Sequence, residues 1–164
     1  VRYHQSQTAE HLLKLHTDRA SSLNTVTAYG DGYIEVNQVR FSHAIAFVPE
    51  GDIAPWPVAG AAGIAVALLR QAARLPETAA DPLAFLDAGE DAPPALPPDA
   101  PEVVLVGTGA RQRFLAPDIL RPLIPAGIGV ETMDPRAAAR PYNILMAEGR
   151  RVVAALIPTG ESAT

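Results

Sequence analysis

VVLVGTG at Val103–Gly109, GIGVET at Gly127–Thr132, MDPRAAARPYNILMAEGR at Met133–Arg150 and VVAALI at Val152–Ile157 are the stretches on which the fold turns. Val103 to Val106 is an unbroken aliphatic run of strand length, the mark of a strand buried on both faces. Val152 to Ile157 reads the same way, and Gly127 to Thr132 supplies another strand between the two. The connecting segments are helical. Pro117 to Ile124 suits a short helix, and Asp134-Pro135 opens a longer one with an N-cap acceptor and proline at the first helical position. That helix is expected to run to Glu148, with Gly149 in the position just past its end. Strand, helix, strand, helix, strand is the order of an α/β core.

Upstream the pattern turns to β. Val26 to Tyr29 and Tyr33 to Val36 read as two strands joined by Gly30-Asp31-Gly32, because Asp-Gly tolerates the positive φ that tight hairpins demand. Asn37-Gln38 makes a second turn, Val39-Arg40-Phe41 resumes, and Ala44 to Val48 is an apolar strand stopped by Pro49. This small antiparallel meander is expected to add strands to the α/β sheet and make it mixed. After Pro55-Trp56-Pro57, Ile64, Leu68, Leu69 and Leu75 recur at helical spacing and predict a helix from Gly60 to Leu75. Residues 77–102 hold six prolines, seven acids and seven alanines and read as an exposed insertion, with one helical turn anchored by Leu83, Phe85 and Leu86. A short helix is expected at 8–15, followed by a loop at Ser21, Ser22 and Asn24. The organisation expected is an arm at 1–23, one α/β domain at 24–158 with the insertion at 77–102, and a tail at 159–164.

Length and composition bound the chemistry. The chain has 164 residues, enough for one domain that buries roughly 70% of its unfolded surface without disulfides or metal. It has no Cys, which removes thiol nucleophiles, CxxC redox pairs, iron–sulfur ligation and Cys-based zinc sites. The net charge is −5, and the seven acids of 77–102, unaccompanied by Lys or Arg, supply more than all of it. The remainder carries no basic stripe beyond Arg136, Arg140, Arg150 and Arg151, interrupted by Asp134 and Glu148, so nucleic acid is not an expected partner. The first residues lack the apolar core of a signal peptide, and Val58 to Leu69 falls short of the about 20 residues that span a bilayer. No membrane span is expected, and the cytoplasm is the expected address.

The chemistry-bearing residues fall into a few groups. Gly107-Thr108-Gly109 after a strand resembles the start of a dinucleotide fingerprint, but GxGxxG requires a glycine at 112 and the chain has Gln112. A tight strand-to-helix turn is the simpler reading, with Arg111 and Arg113 keeping anion binding open. On the helix from Asp134, Arg140 and Glu148 share a face, and Arg150 follows just past the end. Asn143 sits mid-helix against its propensity, so a tertiary hydrogen bond or a ligand holds it there. Tyr142, Asn143 and Glu148 satisfying backbone groups of the adjoining sheet is the favoured reading, and a pocket wall is the other. Pro141, seven residues into the helix, predicts local irregularity. His4, His11, His16 and His43 show no ligand spacing, Ser42 and His43 point to opposite faces of a strand, and GxSxG is absent. No catalytic constellation, metal site or cofactor motif is present in the sequence.

Tyr29-Gly30, Gly32-Tyr33-Ile34, Trp56, VLVGTG at 104–109, GIGVE at 127–131 and MDPRAAARPYNILMAEGR at 133–150 together resemble one domain family. It is the family of unknown function that includes the third mitochondrial respiratory complex I assembly factor and the adipogenesis-associated domain protein. The resemblance covers residues 24–158 and is most specific at GTG and at YNxLxxEGR (142–150). It implies a three-layer α/β domain with a mixed central sheet, to which the pattern above adds the small antiparallel meander. Where the family commonly has Thr, Gly, Cys and Thr between its Asp and Tyr-Asn, this chain has Pro135, Arg136, Ala139 and Pro141, so any role of that Cys is absent here. The resemblance implies a non-enzymatic interaction or assembly module with a protein partner, serving a respiratory-chain complex, and no cofactor. A second reading is a small-molecule or anion-binding protein, an enzyme included, with Gly107, Thr108, Gly109, Asp134, Arg140, Tyr142, Asn143, Glu148 and Arg150 as binding candidates. A third is a homo-oligomer built through a helix face or sheet edge.

Overall fold

The computed structural model describes residues 23–76 and 96–160. The expected helix at 8–15, His4, His11 and His16, most of the acidic insertion with its helical turn, and the end of the tail lie outside them. Eight strands and three α-helices follow in order: β1 (Val26–Gly30), β2 (Tyr33–Val36), β3 (Val39–Phe41), β4 (Ile45–Phe47), β5 (Ala54–Pro55), α1 (Val66–Ala72), β6 (Val103–Thr108), α2 (Pro117–Leu120), β7 (Gly129–Met133), α3 (Pro135–Ala147) and β8 (Val152–Ile157).

The main sheet has five strands in the order β5-β4-β8-β6-β7. β6 pairs in parallel with both β7 and β8, and β4 runs antiparallel to β8, so the sheet is mixed as expected. The two crossovers run in opposite directions from β6 and from β7, so connections of one hand place α2 and α3 on opposite faces. Period-two alternation then sorts every side chain. Val104, Val106, Val153 and Ala155 face a core closed by α1, α2 and Trp56. Val103, Leu105, Ala154 and Leu156 face a second core closed by α3 and the meander. All six residues of β6 and all six of β8 are buried, which is why both read as continuous apolar runs. The molecule therefore has three layers.

Three expectations are corrected. β1, β2 and β3 form a separate three-stranded antiparallel sheet, while β4, the last strand of the expected meander, joins the main sheet antiparallel and makes it mixed, with β5 beside it. The hairpins themselves are as expected: Gly32 at φ 78 closes the first, and Asn37 and Gln38 at φ 52 and 67 close the second. The helix predicted from Gly60 to Leu75 is instead a 3₁₀ turn at Ala61–Gly63, an extended break at Ile64, and α1. Gly60 and Gly63 leave the backbone too unconstrained to carry the helix through, while Ile64, Leu69 and Leu75 still reach the core. α3, by contrast, passes through Pro141 without interruption.

Candidate functional site

α3 is positioned by its ends. The Asp134 side chain accepts a hydrogen bond from the Arg136 backbone N–H at 2.7 Å, making it the N-cap that the sequence predicts. At the neighbouring end of β6, a Cβ on Gly107 would meet Pro135 and Leu156 at 2.9 Å, so only glycine lets the helix start pack onto the strand. The Thr108 hydroxyl donates to the Arg111 carbonyl and accepts from the Arg113 N–H, both at 2.9 Å. Gly109 follows at φ 85. Thr108 is thus spent stapling its own turn, and Arg111 and Arg113 stand exposed on it.

The middle of α3 fastens the meander. Tyr142 is fully buried, with its ring edge-on to Phe47 at 4.9 Å between centroids. Its hydroxyl donates to the Asn24 carbonyl at 3.0 Å. Burial pushes the phenol well above its ordinary pKa. Asn143 accepts from the Val26 N–H at 3.0 Å and donates to the Val26 carbonyl at 2.9 Å, pairing with β1 as another strand would. The placement of Tyr142 and Asn143 against backbone groups is the favoured sequence reading. Glu148 instead stands exposed at the helix end. Arg140 is also exposed, beside a groove of about 490 Å³ between β1 and α3 walled by Ala28, Tyr29 and Ile144.

Beyond α3, Arg150 Nε approaches Glu102 at 3.5 Å, and the Arg151 N–H donates to the other Glu102 oxygen at 2.9 Å. That backbone hydrogen bond, aided by the charges of Arg150 and Arg151, lowers the Glu102 pKa below the ordinary carboxylate value. The candidate residues therefore fall into three places along a helix about 20 Å long. Gly107, Thr108, Gly109 and Asp134 meet at its start, Arg140, Tyr142 and Asn143 lie in its middle, and Glu148 and Arg150 at its end. Arg140 and Asn143 border the groove beside β1, whereas Arg150 borders a different cleft at the helix end.

Sequence reasoning missed Asn24 and Arg74. The Asn24 amide donates to the Val48 and Gly51 carbonyls at 2.9 and 2.8 Å and its oxygen accepts from Asn37 at 2.8 Å, tying three loops together. An asparagine before a strand is ordinary, so no sequence signal marks it. Arg74 adopts φ 53, a conformation that arginine rarely takes and that no spacing rule reveals. Among the described residues no group of three or more His, Asp or Glu could hold a metal ion. Among the same residues no helix is long and apolar enough to cross a membrane.

Comparison with known proteins adds four findings. A family model described as protein of unknown function (DUF498/DUF598) matches residues 26–157. A Bordetella pertussis protein solved by NMR, described as a Mth938-like domain, is 66% identical with a TM-score of 0.70, covering 88% of this chain and 91% of that one. The crystal structure of a Bordetella parapertussis protein is 58% identical with a TM-score of 0.67, covering 84% of this chain and 97% of that one. Among curated proteins, NADH dehydrogenase (ubiquinone) 1 alpha subcomplex assembly factor 3 of Bos taurus is 47% identical over 57 residues, 35% of this chain. That match spans 31% of the length of the bovine protein.

Proposed function

Because this chain belongs to the DUF498/DUF598 family of proteins of unknown function, we propose that it is a non-enzymatic protein-interaction module that serves the assembly of a respiratory-chain complex. The respiratory assignment draws on similarity to the bovine assembly factor. The module works in the cytoplasm, on partner subunits before they join their complex. One observation carries the interaction reading. With Tyr142 and Asn143 turned inward, the outer side of α3 and the edge strand β1 present Tyr29 and Ile144 at 49% and 48% exposure, next to Arg140. An aromatic residue, an aliphatic one and an arginine grouped on a surface are the composition of interface centres.

Affinity purification after cross-linking in cells tests this, comparing wild type with the double variant Arg140→Glu, Ile144→Ser. Both side chains are exposed, so the variant keeps its fold, as circular dichroism would verify. Respiratory-complex subunits cross-linked to wild type and lost from the variant are the expected result. Equal recovery of those subunits from both proteins would remove α3 as the contact surface, and recovery of none would remove the assembly role.

A further inference from the structure

The C-terminal ends of α1 and α3 open onto one cleft, on the opposite side of Asn143 from the Arg140 face. Each helix ends in the same paired turn. After α1, Leu75 N–H donates to the Arg70 carbonyl and Arg74 N–H to the Gln71 carbonyl, both at 3.0 Å. After α3, Arg150 N–H donates to the Leu145 carbonyl at 2.9 Å and Gly149 N–H to the Met146 carbonyl at 3.0 Å. Both turns put the second residue after the helix in the left-handed region, Gly149 at φ 73 and Arg74 at φ 53. Glycine adopts that conformation at no steric cost, and arginine does not. Since the backbone hydrogen bonds are the same in both turns, what distinguishes Arg74 is its side chain.

That side chain forms one edge of a cleft of about 440 Å³. The floor is apolar, from Leu23, Val48 and Met146, and Arg74, Arg150 and Arg151 stand around it. The Arg74 guanidinium donates to the Asp52 carbonyl at 3.3 Å. Arg151 engages the Ala100 carbonyl through Nε at 2.8 Å, and Arg150 faces Glu102 through Nε at 3.5 Å. A guanidinium has five N–H donors, so all three retain several for a ligand. Glu50 and Asp99 also border the cleft and Glu102 lies against Arg150, so three carboxylates balance the three guanidiniums, with Arg74 hydrogen-bonded to a backbone carbonyl and not to a carboxylate. A multiply charged anion meets those carboxylates and the negative ends of two helix dipoles. A single carboxylate with an apolar tail meets arginines at its head and the Leu23, Val48 and Met146 floor along its length. The volume is that of a small-ligand site.

We propose that this cleft is a binding site for a small amphipathic monocarboxylate of the medium-chain fatty acid class, with Arg74 as its principal carboxylate contact. The proposal uses no part of the Arg140 surface, so it stands or falls apart from the assembly role.

The test is a titration of the ¹⁵N-labelled full chain with octanoate, followed by amide chemical shifts, with octanol and acetate as controls for tail and head alone. Saturable shifts centred on Val48, Gly149, Arg150 and Arg151 with octanoate, and much weaker ones with either control, are expected. Arg74→Gly is the decisive variant, because glycine suits φ 53 and preserves the turn while removing the guanidinium. Losing a charge-assisted hydrogen bond should weaken octanoate binding about tenfold or more. Shifts that do not saturate, that centre elsewhere, or that octanol reproduces at equal strength would overturn the proposal. So would an affinity unchanged by Arg74→Gly.

Discussion

Tyr142 and Asn143 are adjacent in sequence and do different work, because successive helical residues point about 100° apart. Tyr142 drives its ring into the second core and donates a hydrogen bond from its hydroxyl to the Asn24 carbonyl at 3.0 Å. Tyr142→Phe keeps the ring against Phe47 and strands that carbonyl, so it should cost about 1 kcal/mol in urea unfolding at pH 7. The phenol also gives a pH signature. Its pKa is raised in the folded state, so its contribution is fully present below the unfolded value of about 10 and is lost as pH rises beyond it, where the unfolded chain ionises first. Stability of wild type should therefore fall more steeply than that of Tyr142→Phe between neutral pH and about pH 11. At this scale the sequence was partly legible. Asn143 announced a tertiary bond or a ligand because helix interiors disfavour asparagine, and the structure supplies the bond, whereas Asn24, which bonds to Val48, Gly51 and Asn37, sits where asparagine is commonplace.

Elements were legible where their patterning is local. β6 and β8 showed themselves as unbroken apolar runs because both their faces are covered, and α3 through its Asp134-Pro135 start and Gly149 end. The separation of β1–β3 from the main sheet was not legible, since strand pairing across the chain is decided by which buried faces meet and leaves no mark on any one segment. The two helix ends offer a direct comparison. Arg74→Gly relieves a left-handed arginine and should stabilise the protein by about 1 kcal/mol, while Gly149→Ala should destabilise it by a similar amount, both read as shifts in the urea midpoint. Glu102 ties the start of β6 to the start of β8 through the Arg151 N–H. Its pKa is lowered on folding, so its contribution is present above the unfolded carboxylate value of about 4.3 and is lost as pH falls through the folded value. A thermal melt series should find Glu102→Gln less stable than wild type at pH 7, with the gap closing as pH drops below about 4.

At the scale of the whole molecule, two sheets share the second core, and the question is what makes them unfold together. Val26, Ile34 and Val36 of the meander pack on the same cluster as Leu105, Ala154 and Leu156 of the main sheet. Apolar packing has no direction, so by itself it would let a three-stranded sheet slide or lift. The directional ties come from α3, where Asn143 holds both backbone groups of Val26 and Tyr142 holds the carbonyl of Asn24, two residues earlier. Asn143 therefore couples the meander to the helix that packs on β6 and β8. Asn143→Ala should remove about 2 kcal/mol of stability, because it leaves the Val26 N–H and C=O without partners. The loss should be uneven. Amide hydrogen exchange is expected to quicken throughout β1–β3 by local opening, while the amides of Val104 and Ala155, in the strands between the two cores, keep most of their protection. Trp56, packed in the first core on the far side of the main sheet, should report the main sheet alone, so its fluorescence transition would lag the loss of meander protection. Equal loss of protection in both sheets would mean that packing, and not the asparagine clamp, is what joins them.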